Sequence, residues 1–293
     1  MRKTFIIAVS GGVDSVSLLH KLMSVKPDSI NYVIAHFDHG VREDSAKDAE
    51  FVKKLAKKYG STYESSRLEL GKNVSEETAR DERYKFLFSV MKKYKAESII
   101  TAHNQDDVIE TMIINLLRGT GPRGLIGFSK SNILRPFIHK TKAEIIKFAK
   151  DNSLEWREES TNSDPKYLRN KIRLNIIPKI NKNKRQDLLK IRSEADETYR
   201  ELDLLTKKLL VQTMHKGELV RSRFVILPYK VQLELVAVWF RLENVEIDKK
   251  LVERSVLSTK TFFPDKKFEI SKSAYLLMTK KTIILKKVHS APV

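Results

Sequence analysis

The 293-residue sequence contains no cysteine. Disulfide bonds, cysteine-based zinc sites, iron–sulfur clusters and thiol nucleophiles are therefore excluded for these residues. Long apolar runs are also missing, since none approaches the roughly 18–20 residues that cross a bilayer. The apolar stretch after Met1-Arg2-Lys3 is short and is followed at once by Gly11-Gly12. This pattern predicts a buried first strand rather than a signal peptide, and we expect a cytoplasmic protein.

Acidic residues are scarce relative to basic ones, with 37 Asp/Glu against 56 Lys/Arg and a net charge of +19. Residues 1–150 carry 26 basic and 18 acidic side chains, and residues 151–293 carry 30 and 19. Because both halves are basic, the charge suits a long polyanion that lies across two domains. The alternative is a lysine-rich composition with no binding role, since charge affects solubility before it affects binding.

Short apolar runs alternate with amphipathic stretches in the N-terminal part. The predicted strands are Phe5–Val9, Tyr32–Phe37, Thr62–Leu68 and Ser98–Ala102, and the helices between and after them are Val13–Met23, Asp44–Tyr59, Asn73–Tyr94 and Asp106–Leu117. We expect Asn73 and Glu76 to cap the third helix and Gly119 to end the fourth. This alternation predicts an α/β fold with a Rossmann-like parallel sheet, helices on both faces, and ligands at the carboxyl ends of the strands.

The pattern changes beyond Pro136, and the length predicts more than one domain. We predict a first domain at 1–183, a charged helical linker at 184–213, and a small α+β domain at 214–293. The predicted helices in this part are Lys142–Asn152, Lys230–Leu242 and Asp248–Leu257, and the predicted strands are Lys267–Ile270, Ala274–Met278 and Thr282–Lys287. The lysine pairs of these strands suit phosphate contact or, equally, a solvated face.

The loop Ser10-Gly11-Gly12-Val13-Asp14-Ser15 follows the first strand and opens a helix. Its glycines let the backbone approach a phosphate closely, and the helix N-terminus favours an anion. Ser10 and Ser15 add hydroxyl donors, while Asp14 is a candidate ligand for Mg²⁺. No Gly-Lys-Ser/Thr follows, so the loop is not a Walker A motif. The alternative is a plain Gly-Gly turn between a strand and a helix.

This loop resembles that of the PP-loop ATP pyrophosphatases, which cleave ATP between the α- and β-phosphates. Further segments in the same order are similar to the pattern of tRNA(Ile)-lysidine synthases. They are His36-Phe37-Asp38-His39-Gly40-Val41-Arg42, Thr101 to Thr111, Asn115 to Leu125, Glu159-Ser160-Thr161-Asn162, and Tyr167 to Arg173 with Pro178. The resemblance covers most of residues 5–180.

The resemblance implies a ligase that uses ATP and Mg²⁺ to modify a tRNA. It also implies that residues 1–183 form the catalytic domain and that residues 214–293 form a small tRNA-binding domain. In this family the C2 carbonyl oxygen of the wobble cytidine in a CAU-anticodon isoleucine tRNA attacks the α-phosphate of ATP, and the ε-amine of free L-lysine then displaces AMP. The related tRNA thiolases need cysteine, which this sequence lacks. The sequence leaves the oligomeric state open, with a homodimer among the options.

Acidic residues are the candidates for the lysine site and the nucleotide site. Asp107 and Glu110 are three residues apart at a helix start and share one face. By resemblance they bind and orient lysine. Either one can assist its deprotonation, and the alternative helix-capping role is compatible with this. Asp38 is a candidate nucleotide or metal ligand, or else an ordinary loop aspartate. For His36, His39 and His103, loop hydrogen bonding is favoured over a metal site.

Four arginines are the basic candidates. Arg118 and Arg123 frame a Gly-Thr-Gly-Pro loop that can hold the tRNA backbone or a flipped cytidine. Arg169 and Arg173 are four residues apart on a predicted helix face. We assign Arg169 to tRNA and Arg173, with Asp14, Asp107 and Glu110, to catalysis, where it can neutralise phosphates in the transition state. The alternative for either arginine is an ordinary surface position.

Two other functions remain open at this point. One is another PP-loop ligase with a small amide or amine donor, against which the +19 charge argues. The other is a tRNA-binding protein that keeps ATP as a structural ligand without catalysis. Intact Asp14, Asp107 and Glu110 weigh against the second alternative.

Overall fold

A computed structural model describes residues 2–40, 45–69, 75–127, 132–157, 168–261, 264–271 and 273–287. The chain forms two compact units, residues 1–193 and 194–293. No helix in these ranges is both long and apolar enough to cross a membrane.

Strands and helices alternate in the first unit, as predicted. The strands are β1 (Lys3–Ala8), β2 (Ile30–Asp38), β3 (Thr62–Arg67), β4 (Ser98–Ile100) and β5 (Ile133–Leu134). The helices are α1 (Val13–Ser24), α2 (Ser45–Lys58), α3 (Glu76–Lys93), α4 (Gln105–Leu117), α5 (Arg123–Ile126), α6 (Lys142–Asp151) and α7 (Leu168–Asn175), followed by a short 3₁₀ helix, Ile177–Lys179. All strand pairs are parallel, in the order β3-β2-β1-β4-β5. The predicted Rossmann-like α/β fold is confirmed.

Two apolar cores cover the two faces of this sheet. Alternate residues of β1 show the division, because Ile7 packs with α1, α2 and α6 while Ile6 packs with α3. Both side chains are fully buried. Successive side chains of a strand point to opposite faces of the sheet, and here both faces are covered by a core. This explains why β1 is a continuous apolar run.

The strand order reverses between β1 and β4, which is the topological switch point of the sheet. From β1 the chain moves outward through β2 to β3, then returns to β4 on the other side of β1. The loops after β1 and β4 therefore diverge and leave a crevice at the carboxyl edge, where ligands bind in open α/β sheets. The predicted phosphate loop and the predicted acidic pair border this crevice.

Three local predictions for this unit need correction. The N-cap of α3 is Ser75, whose hydroxyl accepts from the backbone N–H of Thr78. The predicted capping pair was therefore wrong, and Asn73 itself lies outside the described residues. Strand β4 ends at Ile100 rather than Ala102, and the two-residue β5 was missed because so short a strand carries no periodic signal.

The second unit contains an antiparallel sheet and helices. Its strands are β6 (Met214–His215), β7 (Glu218–Val220), β8 (Lys266–Ser271), β9 (Ala274–Met278) and β10 (Thr282–Lys287), in the order β6-β7-β10-β9-β8. Its helices are α9 (Arg221–Val225), α10 (Tyr229–Leu242), α11 (Lys249–Thr261) and part of α8 (Lys182–Thr213). One core joins α10 and α11 to one face of the sheet through residues such as Trp239, Val256 and Leu276. The predicted small α+β fold is confirmed.

Helix α8 belongs to both units, because the boundary between them falls after Ser193. It is one continuous helix of 32 residues. The short β6, β7 and α9 were not predicted. The functional division into residues 1–183, 184–213 and 214–293 stays a prediction.

Candidate active site

The loop Ser10–Ser15 is organised around the hydroxyl of Ser15. This oxygen accepts from the backbone N–H groups of Ser10 and Gly11, both at 3.2 Å, and donates to the carbonyl of Gly12 at 3.0 Å. Gly11 has a φ of +98°, a backbone conformation that favours glycine. Gly12 is the N-cap of α1 and provides no side-chain cap. The helix start therefore keeps its anion-binding character.

Asp14 lies in the first turn of α1, and one of its oxygens is already paired. Lys142 Nζ donates to Oδ2 at 2.6 Å, while the buried Oδ1 has no hydrogen-bond partner among the described residues. Mg²⁺ is usually held by one or two carboxylates together with substrate phosphates. The free carboxylate oxygen beside a phosphate-type loop fits such an ion.

Asp107 caps its own helix, as the capping interpretation requires. Its Oδ2 accepts from the backbone N–H of Asn104 at 2.9 Å, and the Asn104 side chain accepts from the Asp107 N–H at 3.2 Å. This capping box fixes the start of α4 at the carboxyl edge of β4. The other carboxylate oxygen of Asp107, Oδ1, accepts a hydrogen bond from Arg173 Nη2 at 3.1 Å.

Glu110 is fully buried, one turn along α4, and is not a cap. Arg173 Nε donates to its Oε1 at 2.8 Å and Arg173 Nη2 donates to its Oε2 at 3.0 Å. One guanidinium from α7 thus binds both predicted lysine-site carboxylates. Arg169 lies one turn earlier on α7. Sequence reasoning named all these residues but did not pair Arg173 with the acids.

Burial raises the pKa of both Asp107 and Glu110 above their ordinary values. Arg173 acts in the opposite direction on both groups, and the Asn104 N–H also lowers the pKa of Asp107. The Asp14 carboxylate at the start of α1 also raises the pKa of Asp107. The site therefore holds two acids against a single arginine, which opposes the effect of burial on the pKa of both.

Asp38 ends β2 with its carboxylate largely occupied. Oδ1 accepts from the Gly40 N–H at 2.8 Å, and Arg67 Nε lies 3.8 Å from Oδ2. Asp38 also lines a cavity of about 290 Å³ between α2 and the strands β2 and β3. His36 lines the same cavity, and its Nδ1 is bonded to the Val9 carbonyl at 2.8 Å, directly before the phosphate-type loop. Residues Val41 and Arg42 of this motif lie outside the described residues.

His103 lies beside a cluster of arginines rather than beside other metal-type ligands. Its Nδ1 is 2.8 Å from the Thr101 hydroxyl. Burial lowers the pKa of His103 well below its ordinary value, and nearby positive charges lower it further. These charges belong to Arg83, Arg135, Arg80 and Arg169. The first three are not among the residues predicted from the sequence, although Arg80 and Arg83 form a pair on the third helix.

The Arg118–Arg123 loop is anchored at both ends. Arg118 is the C-cap of α4, and Gly119 follows with a φ of +66°, so its predicted role as the helix stop is confirmed. The Asn115 side chain donates to the Gly124 carbonyl at 2.7 Å. A Cβ at Gly124 would lie 1.8 Å from the Thr120 hydroxyl, so only glycine fits there. Arg118 is exposed and Arg123 is half-buried.

Arg157 is a further site residue that sequence reasoning missed. Its backbone N–H donates to the Gly11 carbonyl at 2.9 Å, and its Nε donates to Asp48 Oδ1 at 2.9 Å. Arg157 therefore ties the phosphate-type loop to α2. No local signal marks it, because the partners lie far apart in the sequence. The neighbouring motif Glu159–Asn162 lies outside the described residues.

The sheet order, the loop at the switch point and the anion-type helix start define a nucleotide-binding α/β domain. The family model for the PP-loop domain matches residues 1–180, and the chain belongs to this family. Membership in the family implies that the domain uses ATP.

Curated relatives carry the name tRNA(Ile)-lysidine synthase. The Thermotoga maritima protein is 38% identical over 183 residues, covering 59% of this chain and 44% of the relative. The Clostridium tetani protein is 34% identical over 244 residues, covering 77% of this chain and 52% of the relative. The Bacillus subtilis protein is 33% identical over 226 residues, covering 73% and 48%. The chain thus matches about half the length of these relatives.

Among solved structures, the U34-tRNA thiolase NcsA from Methanococcus maripaludis with its [4Fe-4S] cluster matches with a TM-score of 0.58. The match covers 67% of this chain and 72% of that chain at 18% identity. It shows a shared fold only.

Proposed function

We propose that this protein joins lysine to C2 of the wobble cytidine in a CAU-anticodon isoleucine tRNA, with ATP as the energy source. The observation that carries the proposal is the acidic pair Asp107 and Glu110 on α4, which follows β4 across the switch point from the Ser10–Ser15 loop. A phosphate-type loop beside a buried acidic pair suits a reaction that combines ATP with a cationic amine. The names of the curated relatives support the same activity.

The ATP phosphates are proposed to bind at the start of α1. The Ser10 hydroxyl, the backbone of Gly12 and Val13, and the dipole of α1 supply the donors, while Ser15 and Gly11 hold the loop in shape. Asp14 would hold Mg²⁺ through its unpartnered Oδ1, and the bound ion would neutralise charge on the phosphates. Asp38 and the adjoining cavity offer room for the nucleoside part.

Lysine is proposed to bind with its ε-ammonium at Asp107 and Glu110. Arg173 lowers the pKa of both carboxylates against the effect of burial, which favours the ionised form that attracts a cation. The amine must lose a proton before it attacks, because its ordinary pKa is about 10.4. A carboxylate whose pKa is raised by burial is a better proton acceptor than an ordinary one. We assign proton acceptance to Asp107, because it is 16% exposed and accepts one bond from Arg173, whereas Glu110 is fully buried with both oxygens bonded to Arg173.

The proposed reaction has two balanced steps. The C2 oxygen of cytidine bonds to the α-phosphorus of ATP, and the bond to pyrophosphate breaks. The lysine nitrogen then bonds to C2, the C2–O bond breaks, and AMP leaves with that oxygen. The protein's part is to position the three substrates, hold the acidic pair ionised and accept the amine proton.

The tRNA is proposed to approach over the basic part of the crevice. Arg118 and Arg123 lie beyond α4, and Arg169 belongs to the arginine cluster around His103. Such a cluster suits the phosphates of a nucleic acid. A cytoplasmic location is part of the same proposal, because that is where tRNA is modified.

The test uses labelled lysine, ATP and a CAU-anticodon isoleucine tRNA transcript. A second transcript carries uridine in place of the wobble cytidine. Label is expected in the first tRNA alone, with one AMP and one pyrophosphate released per lysine. Label in both tRNAs, or in neither, contradicts the proposal. Label transferred to a small acceptor in the absence of tRNA would identify another amidating ligase, and tRNA binding without AMP formation would identify a non-catalytic protein.

A further inference from the structure

The sheet of the second unit has one face that its core does not use. Inward residues of β8, β9 and β10, such as Phe268, Leu276 and Ile283, belong to the core with α10 and α11. The alternate residues Tyr275, Leu277 and Ile284 are partly exposed and belong to none of the core clusters of the described residues. Because side chains alternate along a strand, these three share the opposite face.

The strand register places these side chains next to one another. Leu277 pairs with Lys267 on β8 and with Ile284 on β10. Tyr275 pairs with Glu269 on β8 and with Lys286 on β10. Directly opposed residues on one sheet face have Cβ atoms about 4.5–5.5 Å apart. The face thus carries an aromatic ring and two aliphatic side chains, flanked by lysines on both neighbouring strands.

The Tyr275 ring already contacts a positively charged side chain. Lys267 Nζ lies 4.9 Å from the centre of the Tyr275 ring. Residues 264–287 contain seven lysines and only two acidic residues, so the surroundings are strongly positive. A face of this charge is complementary to a polyanion and unfavourable for a basic partner surface.

The partly exposed ring of Tyr275 favours unpaired nucleotides over a duplex. A base can stack on an aromatic side chain only when it is free of its own stack, and nearby lysines then reach the adjoining phosphates. The stacking contact is tolerant of sequence, because every base presents a flat π-face. A duplex offers phosphates but no free base to Tyr275.

We infer that the open face of β8, β9 and β10 binds an unpaired segment of the tRNA, with a base stacked on Tyr275 and phosphates on Lys267 and Lys286. This inference rests on the proposed function for the identity of the RNA. The aliphatic side chains Leu277 and Ile284 extend the platform beneath a neighbouring nucleotide.

The test compares Tyr275→Ala and Tyr275→Phe with the wild-type chain in binding of fluorescently labelled tRNA. Tyr275→Ala is expected to weaken binding about tenfold, and Tyr275→Phe to bind nearly as the wild type, because stacking needs the ring and not the hydroxyl. Tyr229→Ala is the matched control, since Tyr229 also has a lysine over its ring, Lys260 at 5.4 Å, but lies on α10. Equal losses in the Tyr275→Ala and Tyr229→Ala chains overturn the inference.

A double variant, Lys267→Ala with Lys286→Ala, separates base stacking from phosphate contact. Its slope of log affinity against log salt is expected to be shallower by about 1.4, which corresponds to two contacts on a single strand. An unchanged slope overturns the assignment of these lysines. Loss of affinity in the lysine variant with none in Tyr275→Ala indicates a duplex, and overturns the stacking inference.

Competition and sedimentation complete the test. An unstructured oligonucleotide should compete with tRNA for the wild-type chain but compete poorly for Tyr275→Ala, and a hairpin stem should not compete. A change in the mass of the RNA-free protein on Tyr275→Ala would show a protein interface and overturn the inference. Wild-type protein that binds tRNA through this face but transfers no lysine contradicts only the proposed function.

Discussion

Removal of Arg173 is the most informative perturbation, because one guanidinium serves two buried acids. Arg173→Met keeps much of the side-chain volume but deletes bonds of 2.8 and 3.0 Å to Glu110 and 3.1 Å to Asp107. Glu110 is 0% exposed, so its charge would be left without solvent or a partner. Breaking a buried pair in this way typically costs about 3–5 kcal/mol. Arg173 is 36% exposed, and this screening lowers the expected loss to about 2–3 kcal/mol.

The loss should depend on pH. Burial already raises the pKa of Glu110 in the folded chain, and without Arg173 it rises further. The folded state then holds the proton more tightly than the unfolded chain, whose ordinary value is 4.5. Stability is therefore retained below that value and decreases as pH rises toward the folded pKa, by up to about 1.4 kcal/mol per pH unit. The defect of Arg173→Met should be larger at pH 8 than at pH 5.

Urea unfolding followed by tryptophan fluorescence measures this effect. The chain has two tryptophans, and Trp239→Phe leaves Trp156, which lies in the first unit, as the reporter. In that background, Glu110→Gln combined with Arg173→Met should recover at least about 1 kcal/mol relative to Arg173→Met alone, because the orphaned charge is gone. A defect that is equal at both pH values, or that persists in the double variant, refutes the reasoning.

Three further predictions follow from the same site. Asp107→Asn should raise the KM for lysine about tenfold or more while changing the KM for ATP less than twofold. Asp151→Asn, which removes an exposed acid, is the control. An equal rise in both KM values would assign Asp107 to the nucleotide. Arg157→Ala should raise the KM for ATP several-fold with little effect on the KM for lysine, because the phosphate-type loop loses its link to Asp48. If the KM for ATP does not change, the role of Arg157 is structural only. The KM for lysine should rise as pH falls, because protonated carboxyl groups no longer attract the ammonium group. The rise should begin at a higher pH than the pKa of an ordinary carboxyl group, because burial raises the pKa of both site acids. A KM that stays constant between pH 5 and 8 would contradict an ionised pair.

Much of the first unit can be predicted from local sequence patterns. The apolar run at the first strand, the Gly-Gly turn and the following amphipathic stretch suffice to predict β1, the Ser10–Ser15 loop and α1. Each of these signals spans only a few residues, and the alternation of strands and helices then dictates a parallel sheet. The family motifs name Asp107, Glu110 and Arg173, because those residues stand in short recognisable segments.

The contacts that complete the site arise only in the tertiary structure. Lys142 lies 128 residues from Asp14, Arg157 lies 109 residues from Asp48, and Arg173 lies 63 residues from Glu110. No periodicity or local propensity encodes such pairings, because they depend on where the sheet order brings α2, α4 and α7. The sequence by itself determined the phosphate-type loop, the acidic residues and the class of fold. Only the tertiary structure decided that one arginine binds both acids. The physical reason is that a buried charge needs a partner of opposite charge, and the fold determines which residue lies close enough to be that partner.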